Sequence, residues 1–241
     1  MDFIYDNDTF SINIDGCFTP NLTTSLFADA LLNFLANKND KRYKILEVGC
    51  GSGVISVIAN KYHPDSEFFL SDLSSSAINS AKINLDKYSV DNYQIKKSDL
   101  FAGWLEEGPF DIILNDISGI SEDIAGISGW FTDVPANTGR DGIDLTVKAL
   151  NDGAKILKNP ESPLFFPVIS LSNVKKTIDY AKSKYNYIEM VKSKDWPMPL
   201  EMFHDNKKLF EDLKGDGHIK YEEKFGMFIC NTSIFMAQDP L

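Results

Sequence analysis

The sequence is poor in the residues that staple or metallate a small domain. Only three cysteines stand among 241 residues, Cys17, Cys50 and Cys230, far apart and odd in number. That argues against a disulfide framework and for a reduced, cytoplasmic setting. No C-x-x-C pair occurs, and the three histidines are scattered, so no metal site is expected. His63 reads as surface and His218 as part of a turn. No apolar run approaches the ~20 residues of a membrane-spanning helix. The opening MDFIYDNDTF lacks the basic and apolar regions of a secretory signal, so no membrane partner is expected. Positive charge is scarce too: 24 Lys and Arg face 35 Asp and Glu, for a net charge of −11. Nucleic-acid binders carry a basic footprint. The clusters NKNDKR and IKK are short, which weighs against nucleic acid as a partner. There is no internal repeat and no low-complexity segment. The oligomeric state is left open.

What remains is an ordinary globular composition, 43% apolar and 24% charged, enough for a sizeable core. Residues 22–37 place apolar side chains at helical spacing behind Thr and Ser. YKILEVG is a short apolar run ending at glycine, the mark of a buried parallel strand. VISVIANKY then reads as a helix, EFFLSD as a strand, and SSSAINSAKINLDKY as a helix with serine caps. YQIKKSDL and FDIILND are strands, and GIDLTVKALNDGAKILK is a helix. PLFFPVISLS is a fifth strand, in which Pro167 argues for a sheet edge or a kinked entry. NVKKTIDYAKSKY is a helix, and NYIEMVKS and FGMFICNTSIFMA are the sixth and seventh strands. Strands alternating with helices at this pace imply an α/β fold with a doubly wound sheet. One domain is expected over 1–241. Its parts are a turn and helix (1–40), a ligand-binding core (41–175), and C-terminal strands (176–241) with an inserted lobe at 195–222.

The stretch ILEVGCGSGVIS, residues 45–56, carries the chemistry. Gly49, Gly51 and Gly53 permit positive φ and let a ligand approach the backbone. In a doubly wound sheet that turn lies where ligands bind. The dinucleotide fingerprint needs its third glycine where Val54 stands, and the P-loop needs a Gly-Lys-Ser/Thr that is absent. Glu47, just before the turn, repels a phosphate and suits a ligand with a cationic part.

LEVGCGSG resembles the first motif of the class I S-adenosylmethionine-dependent methyltransferases, E/D-x-G-x-G-x-G. The resemblance implies S-adenosyl-L-methionine as cofactor and a Rossmann-like, seven-stranded sheet, mostly parallel with an antiparallel last strand. It assigns Glu47, Gly49, Gly51 and Gly53 to the cofactor. It assigns Asp72, ending FFLSD, to the ribose hydroxyls, with Leu73 along the adenine. Asp99, in KKSDLF, takes the adenine amino group, with Leu100 against the ring. CFTPNLTTSLFADALL and GRDGIDLTVKALNDGAKILK resemble segments of the HemK-like, small-domain group. There Thr19 would donate its hydroxyl near the methionine end.

Strand four ends at Asn115-Asp116-Ile117-Ser118, where that group reads N-P-P-Y. Asn115 is kept, the prolines and the aromatic are gone, and no separate substrate-docking domain precedes the first strand. Asn115 and Asp116 are the candidate catalytic residues, Asn115 also touching the cofactor and Asp116 acting as a base. The expected acceptor is a nitrogen or oxygen of a small molecule or a protein side chain. The rivals are glutamine N5-methyl transfer, an inactive scaffold or partner subunit, and a nicotinamide oxidoreductase. Two segments are candidate lids: 119–142, with Trp130 and Phe131, and 194–206, with Trp196, Met198, Met202, Phe203 and His204.

Overall fold

The computed structural model describes residues 1–36, 42–131 and 136–241. Most of the charged link KNDKR and the tip of the first candidate lid lie outside them. The chain opens with a hairpin, β1 (Asp2–Tyr5) and β2 (Asp8–Ser11), followed by α1 (Leu22–Leu35). Then come β3 (Lys44–Val48), α2 (Val54–Tyr62), β4 (Glu67–Asp72), α3 (Ser75–Lys87), β5 (Tyr93–Lys97) and β6 (Ile112–Asn115). A long connection holds α4 (Glu122–Ser128) and α5 (Asp144–Gly153), before β7 (Leu164–Ile169) and α6 (Val174–Lys182). The C-terminal part comprises β8 (Tyr185–Pro197), α7 (Leu200–Asp205), α8 (Lys207–Gly215), β9 (Glu222–Lys224) and β10 (Met227–Pro240).

The main sheet runs β5-β4-β3-β6-β7-β10-β8, with β9 added against β10. The neighbours from β5 to β7 pair in parallel. The last strand, β10, runs antiparallel between β7 and β8. This is the expected fold class. Strand order reverses between β3 and β6, and that switch point opens the crevice beyond their carboxyl ends. The strands are short and apolar because both faces are covered. One face packs on α1, α2, α3 and the N-terminal hairpin, through residues such as Phe27, Leu31, Ile58 and Leu85. The other packs on the α5–α6 side, through Trp104, Phe110, Leu150 and Phe166.

Three expectations change. The N-terminal segment is more than a turn before a helix, because β1 and β2 close over a two-residue loop. Asp6 and Asn7 take φ of 45° and 66° there, the left-handed pair that a tight hairpin requires. Pro167 lies in an internal strand, paired with Ile234 of β10. Ile113 donates to the Pro163 carbonyl at 2.9 Å, so odd-numbered residues of β7 face β6. The β6 ladder stops at Leu114–Phe165, one step short of Pro167, and the ring's missing donor therefore faces no ladder partner.

The third concerns 194–206. Met198 and Phe203 are buried in a separate cluster with Phe210, Leu213, Tyr221 and Phe228. Phe203 stacks on Phe228 with ring centroids 3.5 Å apart. This stretch is the core of the C-terminal lobe, and Phe203 anchors it. Phe203→Ala is expected to cost about 3–5 kcal/mol. At ~2–4 °C per kcal/mol, thermal melting should fall by about 6–20 °C. Ligand affinity at the crevice, titrated well below the transition, should not change.

Candidate active site

The crevice at the switch point is a cavity of about 330 Å³. Its floor is the turn between β3 and α2. Gly49, Gly51 and Gly53 all take positive φ, 77°, 50° and 70°, which favours glycine at each. Two of them also lack room for a side chain. A Cβ on Gly49 would stand 2.7 Å from the Asp116 carbonyl oxygen, and one on Gly53 would stand 3.1 Å from Ala81 of α3. A Cβ on Gly51 would meet nothing within 4 Å; that glycine faces open cavity. The turn is pinned from several sides. Gly49 and Cys50 donate to the Ser71 carbonyl at 2.9 and 3.0 Å, and Gly51 donates to Asp72 Oδ2 at 3.0 Å. Asn84 of α3 donates to the Ser52 carbonyl at 2.8 Å and to the Asn13 carbonyl at 2.8 Å.

The expected site residues fall into distinct places. Glu47 and Asp72 reach the cavity wall, as do Gly49, Gly51, Leu73, Asp99, Leu100 and Asp116. Glu47 is buried at 1% exposure and accepts the Ser56 hydroxyl. Burial pushes its carboxyl up to about 8, against the pull of Ser56, with Asp116 and Asp72 adding repulsion. Burial, and then the charge of Asp72, pushes Asp116 up to about 7. Asp72 also accepts from the Ser74 N–H at 2.8 Å. Asp99 is exposed at the rim and pairs with Lys148 at 3.1 Å.

Three expected residues stand off the wall. Gly53 packs toward Ala81 of α3 and does not line the cavity. Thr19 is exposed and does not line the cavity, whereas Thr23 and Thr24 of α1 do. Asn115 is fully buried at the end of β6 behind the wall. Its amide nitrogen and oxygen find no partner among the described residues.

Beyond the tips of β6 and β7 the wall turns apolar, with Ile117, Phe131, Pro167 and Ile169. Phe131, from the first candidate lid, stacks obliquely on Phe18 at 5.3 Å. Trp130 meets Trp196 at 6.0 Å, which ties that segment to β8. Its far end is held through Asp141, which takes bonds from Lys176, His218 and Asn173. Burial opposes ionisation of Asp141, but these donors hold its carboxyl below the usual range. Neither His204 nor the aromatic and methionine side chains of 194–206 line the cavity. Among the described residues no group of His, Cys, Asp and Glu could hold a metal ion, and no helix could cross a membrane. Sequence reasoning missed Ser56, Asn84, Lys148 and Phe18, which act through contacts that no short motif records.

Residues 24–116 match the family model for the methyltransferase small domain. Over that segment the chain is similar to the methyltransferase small domain, which belongs with the S-adenosylmethionine-dependent methyltransferases. The release factor glutamine methyltransferase of Clostridium acetobutylicum is 29% identical over 150 residues, 59% of this chain and 52% of that protein. The match thus spans about half the length of that curated relative. Among solved structures, ribosomal protein L11 methylase from Lactobacillus delbrueckii subsp. bulgaricus superposes with a TM-score of 0.57 at 14% identity, over 97% of this chain and 87% of that one. A methyltransferase complexed with SAH gives a TM-score of 0.57 at 12% identity, over 98% and 56% of the two chains. At such identities the likeness is one of fold.

The buried acids make stability depend on pH. In the folded chain Glu47 keeps its proton up to about 8, against 4.5 ordinarily. The folded state therefore binds the extra proton between those values, and its stabilisation is lost as pH rises through about 8. The ligand-free protein is expected to melt at progressively lower temperature from pH 5 to pH 8. Glu47→Gln, which keeps an acceptor for Ser56, should flatten that slope. An unchanged slope in differential scanning calorimetry would remove Glu47 as its source.

Proposed function

We propose that this protein transfers a methyl group from S-adenosylmethionine to a nitrogen or oxygen of a small molecule or a protein side chain. The observation that carries this reading is the left-handed glycine turn, whose middle residue faces open cavity beside acids. A phosphate-bearing cofactor would meet Glu47, Asp72 and Asp116 there, and among the described residues no free cation lines the wall to receive it. A ligand with an ammonium, a sulfonium and a ribose has the complementary charge.

The residues fit that ligand in order along the wall. Glu47, at the turn, holds a proton until a cationic group arrives, and an ammonium at the amino-acid end would favour its ionised form. Asp72 keeps acceptor capacity on both oxygens for ribose hydroxyls, beside Leu73. Asp99 and Leu100 stand at the rim, where an adenine would lie. Thr23 and Thr24 take the place expected of Thr19. When bound, the donor supplies a methyl group made electrophilic by its sulfonium. The chain's part is to align the acceptor and to keep water out, which the apolar wall at Ile117, Phe131 and Pro167 favours.

A second reading, methyl transfer to a glutamine amide, draws on the identity to the clostridial enzyme. Against it stand the missing Pro-Pro-Tyr and the position of Asn115 behind the wall. A glutamine-bearing peptide that accepted methyl from the purified protein would favour it.

Isothermal titration decides the donor. S-adenosylmethionine and S-adenosylhomocysteine are expected to bind, and NADH is not. Gly51→Val forces a branched side chain into a left-handed turn, at ~1–2 kcal/mol of backbone strain, and fills the open floor. It should weaken both ligands by about tenfold or more, as should Asp72→Ala, which removes a charge-assisted acceptor. No heat and no thermal shift with the wild-type protein would sink the reading.

A further inference from the structure

Among the described residues the wall of the cavity carries five charged groups: Glu47, Asp72, Asp99, Asp116 and Lys148. Four of them are engaged. Lys148 pairs with Asp99, Glu47 takes the Ser56 hydroxyl, and Asp72 takes the N–H groups of Gly51 and Ser74. Among the described residues the carboxylate of Asp116 accepts no hydrogen bond; only its backbone N–H is bound, to the Val48 carbonyl at 2.9 Å. Asp116 sits against Gly49 of the turn, its carbonyl oxygen 2.7 Å from where a Cβ of that glycine would stand. It marks the border between the glycine floor and the apolar pocket of Ile117, Phe131, Pro167 and Ile169. Two residues on, the Ser118 hydroxyl is buried without a partner among the described residues. Asp116 is half-buried at the cavity wall, and a carboxylate there with no protein partner is suited to a cation or a proton donor.

We infer that the methyl acceptor is a primary or secondary amine carried on an apolar body, held by Asp116 as its cation and deprotonated by it. This rests on the reading of the glycine turn as the donor site. An ammonium group satisfies the free carboxylate, and the Ser118 hydroxyl accepts a second N–H. The apolar pocket takes the hydrocarbon. Other acceptors fit worse. A carboxylate or phosphate would add negative charge where no cation is free. An amide nitrogen has its lone pair committed to the carbonyl and would leave Asp116 uncompensated. An alcohol brings no charge to match. The step balances: Asp116 takes one proton from the ammonium, and the freed nitrogen pair forms the new N–C bond. The methyl–sulfur bond breaks with its electrons staying on sulfur, and the proton then passes from Asp116 to water.

The test uses protein saturated with S-adenosylhomocysteine. Benzylamine, phenethylamine and tryptamine are titrated beside benzyl alcohol, phenethyl alcohol, tryptophol and phenylacetate. At least one amine is expected to bind about tenfold or more tighter than its matched alcohol, as a charge-assisted hydrogen bond implies. Phenylacetate should not bind. Asp116→Asn should erase that preference while S-adenosylhomocysteine affinity stays within about threefold. Methyl transfer to the preferred amine should fall about a hundredfold or more. Asp116→Ser serves the same purpose should the asparagine variant not fold. Alcohols that bind as well as amines, amines that do not bind, or a preference that survives both variants overturns the inference. A wild-type protein that takes no S-adenosylhomocysteine overturns the donor reading and this inference with it.

Discussion

The structure turns on a backbone constraint, three left-handed residues in alternation between β3 and α2. At Gly49 the chain lies against the Asp116 carbonyl at the end of β6, and at Gly53 it lies against Ala81 of α3. Neither approach leaves room for a side chain. The Gly51 N–H, turned toward β4, fixes Asp72. One turn thus sets the mutual positions of three strand ends and two helices, and the cavity is the space it leaves open. Asn84 extends the arrangement outward by joining the turn to the segment after the hairpin. The hairpin is therefore part of the support of the site, although none of its residues lines the cavity.

A second consequence is electrostatic. Parallel strands end together, so acids at the ends of β3 and β4 and just past β6 are brought into one crevice. Burial and mutual repulsion then hold protons on Glu47 and Asp116 at pH values where free carboxyls are ionised. Such frustration weakens the ligand-free fold and strengthens the response to a cation, since a positive ligand allows both groups to ionise. Structural ion pairing would have neutralised the crevice from within. The chain instead places its one wall lysine at the rim, on Asp99.

How much of this was legible depended on whether the signal was local. The parallel strands declared themselves as short apolar runs, and the glycine spacing named its own turn. Asp72 and Asp99 were readable as strand-end acids. The hairpin was legible in principle, through apolar Phe3, Tyr5 and Phe10 flanking Asp6-Asn7, but its acidic residues masked the alternation. Pro167 misled because its tolerance depends on where β6 stops, a fact about the partner strand. Thr19 precedes the Asn21 cap and stays outside α1, whereas Thr23 and Thr24 stand in its first turn, where they line the cavity. Residues 194–206 are aromatic for the sake of the lobe's own core, and composition alone does not separate a core from a collar.

The family likeness also has an edge that coincides with a chemical border. The matched segment runs from Thr24 to Asp116, and up to Asn115 it holds the glycine floor, the strand-end acids and their supports. The acceptor half begins at Asp116 and Ile117. It is completed by Phe131 from the segment before α5, by Pro167 and Ile169 of β7, and by Phe18 ahead of α1. Those parts are held by Trp130 on Trp196 and by Asp141 with His218 and Lys176. A shared donor half constrains what is transferred and leaves the choice of acceptor free. Just past β6 this chain places a carboxylate and an aliphatic side chain, Asp116 and Ile117. On the proposed reading, recognition of the acceptor follows from the residues that border Asp116, the half-buried carboxylate between the glycine floor and the apolar pocket.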